Sequence, residues 1–193
     1  MALKRFKIDG YGQIELNNVA FRRDGRIEAQ CKLKETTYEE DGVTVKEQNF
    51  DKVVPAENGM LLAVDKANGV VKFPVEGEVL PIAVHYSTEH MYDERANSLK
   101  DFALVPGTFL PRMGYLAVGD LYTTNCLCYD DGEFATEEDI FTYAKTNDIW
   151  VVPSAIGAGK VTKTVGDGTT LKVVKKYTMP NGTPGVKLQV IKA

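Results

Sequence analysis

At 193 residues, with 44% hydrophobic side chains and a formal net charge of -4, the chain is long enough for one large domain or two small ones around a sizeable core, which excludes disorder of the whole. The small acidic excess argues against a dedicated nucleic-acid binder, because neutralising phosphates takes a basic face. No run approaches the roughly 20 apolar residues of a membrane span, and the opening "MALKRFKIDGYG" lacks the apolar core of a secretory signal, so synthesis in the cytoplasm is expected.

The first segment is basic, through Lys4, Arg5, Lys7, Arg22, Arg23, Arg26, Lys32 and Lys34, and an acidic cluster, Glu35, Glu39, Glu40 and Asp41, follows it. Within it "RIEAQCKLKE" alternates, placing Ile27, Ala29, Cys31 and Leu33 on one side, the pattern of a half-buried strand. Asp41-Gly42 tolerates positive φ and is expected to close a hairpin into "VTVKEQNF".

Three apolar runs come next, "GMLLAVD", "GVVKFPV" and "LPIAVHY", each apolar enough to be buried on both faces, with Asn68-Gly69 as the turn between the first two. "STEHMYDERANSLKDF" then breaks the pattern and reads as a long surface excursion. Extended structure resumes in "GYLAVGDLYTTNCLCYDDG", with a bend at Gly119-Asp120 and a strand from Leu121 to Tyr129.

One helix is predicted, in "ATEEDIFTYAKTND". Thr136 caps a first turn rich in Glu137, Glu138 and Asp139, the aspartate returns the capping-box bond, and Ile140, Phe141 and Ala144 form the apolar face. Beyond "IWVVP", the stretch "SAIGAGK" reads as a flexible link, a possible subdivision near 153–160. Three alternating strands then follow, with Val161, Val165, Leu171, Val173, Val186, Leu188 and Val190 inward, turned at Gly166-Asp167-Gly168 and Pro180-Asn181-Gly182. About nine or ten short strands and one short helix define a mainly β chain, a β-barrel or β-sandwich.

No motif in this chain carries chemistry. "GAGKV" fails as a phosphate loop, because Ser154 stands where a glycine is needed and Val161 where a magnesium-binding hydroxyl is needed. His85 and His90 are too few for a zinc site, and Cys126 and Cys128, one residue apart, lack redox or zinc spacing; with Cys31 they are expected to be free, buried thiols. The carboxylate groups Glu39-Glu40-Asp41, Asp130-Asp131 and Glu137-Glu138-Asp139 sit at turns or a helix start, where acids serve local structure. Tyr38, Tyr86, Tyr92, Tyr115, Tyr122 and Tyr129 are either core edges or a sugar-binding platform. The expectation is a chain without catalysis, cofactor or metal.

The run "GMLLAVDKANGVVKFPV" followed by "LPIAVHYS" resembles the central strand cluster of small head-decoration (capsid cement) proteins of tailed bacteriophages. "PRMGYLAVGDLYTTNCLCYDDGEFA" and "LKVVKKYTMPNGTPGVKLQVIKA" are similar to segments of virion structural proteins from phages of Gram-positive hosts. The likeness spans roughly two thirds of the chain and has no signature motif. It implies a virion protein that joins the assembled shell of major capsid protein as a homo-oligomer, with a trimer favoured, and tightens it against packaged DNA, contacting neither nucleic acid nor membrane.

Such a protein needs a rigid β body and an arm or strand to add to a neighbour's sheet. Residues 1–26 are the candidate arm, with 27–193 as the body, and Lys4, Arg5, Phe6, Lys7, Ile8, Tyr11, Ile14 and Leu16 are the candidate docking residues. The other reading of 1–26 is the first strand of the body. Two rival functions stay open: a carbohydrate- or receptor-binding β module of a fibre or spike, and a small hydrolase built on a carboxylate or on His90.

Overall fold

The computed structural model describes residues 2–34, 37–38, 45–47, 54–87, 99–180 and 182–193. Its elements, in chain order, are β1 Leu3–Arg5, β2 Ile14–Asn18, α1 Ala20–Asp24, β3 Ile27–Glu28, β4 Lys32–Leu33, β5 Thr37–Tyr38, β6 Val45–Glu47, β7 Ala56–Glu57, β8 Leu61–Asp65, β9 Val70–Lys72 and β10 Ile82–His85. A 3-10 turn Leu99–Asp101 leads to β11 Ala103–Leu104, β12 Met113–Tyr115, β13 Leu121–Thr124, β14 Leu127–Asp130, α2 Glu137–Tyr143, β15 Trp150–Val152, β16 Gly159–Thr162, β17 Thr170–Thr178 and β18 Pro184–Lys192.

The chain is mainly β, and its sheets are open: the arrangement is that of a sandwich, not a closed barrel. Eight strands form one sheet in the order β1-β14-β16-β15-β17-β18-β13-β2, six form a second in the order β3-β12-β10-β8-β9-β4, and β11-β7 and β5-β6 are separate pairs. The strands number 18 among the described residues, about twice the expectation, because several long apolar runs are cut by bends that periodicity does not register.

The predicted strand Leu121 to Tyr129 is one such case. Asn125 and Cys126 leave the ladder, Leu127 N donates to Asn125 O at 2.9 Å, and the two halves pair with different neighbours, β13 with β18 and β14 with β16. "RIEAQCKLKE" is cut as well. β3 pairs with β12 while β4 pairs in parallel with β9, and the chain turns between them where Gln30 N donates to the Glu28 carboxylate. Cys31 and Leu33 are buried as expected, whereas Ile27 is exposed and Glu28 is nearly buried.

The central runs behave as their composition demands. β8 lies between β9 and β10, turned by Asn68-Gly69, where Gly69 has φ 67 and Asn68 N donates to Asp65. Both faces of β8 are buried: Leu61 joins the larger core, with Val84 and Tyr86, while Leu62 and Val64 join the second, with Ala83, Val71 and Met113. Alternation along the strand sends successive side chains to opposite faces, so this sheet separates the two cores.

α2 forms as predicted. Thr136 Oγ1 accepts from Asp139 N, and Asp139 Oδ2 accepts from Thr136 N at 2.9 Å, the reciprocal capping box. Ile140 is buried, and Phe141 and Ala144 pack against the larger core. The second helix, α1, has no side-chain cap of its own. Asp120 supplies one across the fold, its Oδ1 accepting from Ala20 N at 2.8 Å, a contact invisible in local sequence.

Of the seven residues expected inward after "SAIGAGK", Val161, Leu171, Val186, Leu188 and Val190 are buried and Val173 packs against the core. Val165 is exposed instead, because the chain bends away after β16. "SAIGAGK" is not a loose link. Gly157 N donates to Ser154 O, Ser154 Oγ donates to Ala158 O, Gly157 O accepts from Leu61 N, and Ala158 is fully buried, so the stretch around 153–160 fastens the large sheet to β8. The turn Asp41-Gly42, the acids Glu39-Glu40-Asp41, His90 with Glu89, Tyr92, Asn181 and most of the excursion after Ser87 lie outside the described residues.

Candidate docking surfaces and a sealed polar centre

Of the candidate arm, residues 2–26 are laid into the body as two strands and a helical turn. β1 runs antiparallel to β14 and β2 antiparallel to β13, so the two strands flank the bent β13-β14 path. The eight candidate docking residues are therefore divided between core and surface. Phe6 is 2% exposed, its ring edge-on to Tyr129 and Phe141 at 6.0 and 6.2 Å, and Ile14 is also buried; neither is open to a partner in this conformation. Ile8 and Leu16 are half-buried against the same core. Lys4 reaches Asp131 at 3.7 Å, Lys7 N donates to Glu137 at 2.6 Å, and Tyr11 is exposed with its N–H on Lys100 O.

Arg5 points the other way, into a polar centre between the sheets. Its guanidinium holds Glu57, whose Oε2 also accepts from Gly12 N at 2.6 Å. Beside them Glu57 O accepts from His85 Nδ1 at 2.9 Å, which fixes the neutral tautomer with the proton on Nδ1. Nε2 is then an acceptor, and Ser87 Oγ donates to it at 2.7 Å while accepting from Arg112 N at 2.9 Å. Burial pushes the His85 pKa down to about 4, only partly offset by its bond to the Glu57 carbonyl.

A serine hydroxyl on a histidine whose other nitrogen is held by an oxygen has the connectivity of a nucleophile and its base. Here both side chains are fully buried, and the serine lone pair is spent on a backbone N–H. What the arrangement does is tie β7, β10 and the chain before β12 together. His85 is wholly buried; Ser87 and Glu57 carry no sequence signal of their own, although His85 and Ser87, two residues apart at a strand end, share a side by simple alternation.

The three thiols are free and buried, as expected. Burial raises the Cys126 pKa strongly and pushes Cys128 up to about 11, the latter partly offset by Ser154. Tyr86, Tyr122 and Tyr129 are buried; they are core residues and not a platform. Among the described residues, no three His, Cys, Asp or Glu side chains are grouped to hold a metal ion, and no helix is long and apolar enough to cross a membrane.

An exposed apolar cleft lies at the end of the six-stranded sheet. Among the described residues β4 is its last strand; Lys32 N and Lys34 N donate to Gly69 O and Val71 O of the β9 side, so by alternation the N–H and C=O of Leu33 point away from β9, while Leu33 as a whole is covered, at 2% exposed. Beside this edge is a cleft of about 300 Å³ lined by Lys32, Leu33, Gly107, Thr108, Phe109 and Leu110. Phe109 is 67% exposed and Leu110 41%. The loop presenting them is held by Thr108, whose N–H and Oγ1 both donate to Val105 O, and by Gly107 at φ 83. None of these residues was marked by sequence: a Phe-Leu pair in a loop has no periodicity to reveal whether it is buried.

Compared with protein-family models, curated proteins and solved structures, the chain has no match.

Proposed function

We propose that this chain is a non-enzymatic structural protein of a tailed-phage virion that decorates and stabilises the capsid shell. The observation that carries the reading is the exposed Phe109–Leu110 wall of the cleft beside β4. An exposed apolar wall beside a cleft suits apolar side chains of a neighbouring subunit, and covering that wall provides the affinity. In this proposal the partner is the major capsid protein and the chain acts as a homo-oligomer, a trimer being favoured. The two packed cores and the sealed polar centre support a role as a rigid clamp, and the likeness of its central strands to decoration proteins adds to it.

Co-sedimentation with undecorated phage heads tests the proposal. Stoichiometric pelleting of the wild-type chain, lost in Phe109→Ser, supports it. A chain that remains in the supernatant as a stable oligomer refutes it and moves the weight to a carbohydrate- or receptor-binding module, which a glycan array then addresses.

A further inference from the structure

The outer face of the β17-β18 hairpin carries two cations, Lys175 and Lys187, that no carboxylate among the described residues neutralises. Along β18, Val186, Leu188 and Val190 face the core and Lys187 and Gln189 face out. The register shifts between Val173 and Lys175, and Lys175 then stands directly opposite Lys187. Like charges facing each other across a strand pair repel and destabilise the ladder, so the local fold gains nothing from this pairing.

The neighbouring lysines are all engaged. Lys172 bonds Asp148 at 2.7 Å and lies over Trp150, Lys176 lies over Phe141 at 4.4 Å, Lys163 donates to Glu133 O, and Lys192 donates to Gly166 O. Among the described residues, no carboxylate pairs with Lys175 or Lys187. Val174, the residue at the register shift, is 49% exposed, and Tyr177, two residues beyond Lys175, shares its side and faces Gly185, which offers no side chain to cover it.

We infer that this face is a binding surface for an acidic, extended protein segment, separate from the cleft at β4. The Cβ atoms of residues directly opposite on adjacent strands stand about 5 Å apart, and alternate side chains of an extended chain project about 6–7 Å apart on one side. An extended segment crossing the hairpin thus sets carboxylates two residues apart over Lys175 and Lys187, and exposed Val174 and half-buried Tyr177 give the residues around them apolar contact. Charge selects protein over nucleic acid. Two cations fall short of the several phosphate contacts that duplex binding takes.

The test is a titration of the isotopically labelled full chain, followed by NMR, with a synthetic peptide alternating glutamate and threonine. Saturable shifts confined to β17 and β18, with affinity lowered about tenfold in the Lys175→Gln/Lys187→Gln variant and by added salt, support the inference. A second variant, Lys187→Glu, places an opposite charge against Lys175 and is expected to keep or raise the melting temperature while abolishing peptide binding. Absence of saturable shifts, equal affinity in both lysine variants, tighter binding of a short DNA duplex, or self-association that depends on these lysines without peptide each overturns it; so does loss of stability in Lys187→Glu, which makes the pair structural.

Discussion

Arg5 grips both carboxylate oxygens of Glu57, at 3.1 and 2.7 Å, from 52 residues away in sequence. The pair is largely withdrawn from water, with side-chain exposures of 30% and 13%, and Glu57 in addition holds Gly12 N. The N-terminal segment is therefore fastened at both ends of its first excursion by a single carboxylate. Removing one partner strands the other charge, so Arg5→Ala or Glu57→Ala is expected to cost about 2–3 kcal/mol, below the fully buried case because Arg5 keeps some water. An Arg5→Met/Glu57→Leu double variant loses less than the two single changes summed. Urea denaturation of the three variants measures this.

His85 makes stability depend on pH. Its folded pKa of about 4 lies below the ordinary 6.5, so between these values the unfolded chain binds more protons and stability rises with pH. The contribution is complete above about 6.5, falls as pH drops toward 4, and amounts to about 3 kcal/mol from the width of that window. Denaturation midpoints from pH 7 to 4 should show this slope in the wild type and a shallower one in His85→Gln.

Gly114 faces the ring of Phe21, and a methyl group there comes within 2.5–2.6 Å of three ring atoms. Gly114→Ala is expected to destabilise by about 1–3 kcal/mol through overpacking, and the smaller side chain in Gly114→Ala/Phe21→Leu recovers part of the loss. Thermal melts of the single and double variants decide the matter; additive losses refute the contact.

Phe109 is 67% exposed, so Phe109→Ser should leave stability within about 0.5 kcal/mol of wild type. The same change is expected to abolish association with phage heads. A large drop in melting temperature instead shows that the ring has a folding role.

Cys31, Cys126 and Cys128 are all buried, and attack on a thiol reagent needs an exposed thiolate. In native buffer none should react rapidly with Ellman's reagent, and in denaturant all three should. Fast release of one equivalent from the native protein contradicts the packing described for the second core.

Much of the β architecture is dictated by short-range sequence. The apolar runs of β8, β9 and β10, the Asn68-Gly69 turn, the inward residues of β18 and the Thr136–Asp139 capping box each follow from neighbours within a few residues, through alternation, turn conformation and helix-end hydrogen bonding. Tertiary structure decided where long apolar or alternating runs bend, since the breaks at Asn125-Cys126 and Gln30 come from partners elsewhere in the fold. It decided that Phe6 and Ile14 belong to the core and that "SAIGAGK" is buried, because composition does not record what packs on a segment. The Glu57 centre, the cap lent by Asp120 to α1, the Phe109 wall and the opposition of Lys175 to Lys187 likewise depend on residues distant in sequence or on cross-strand register, which only the folded chain sets.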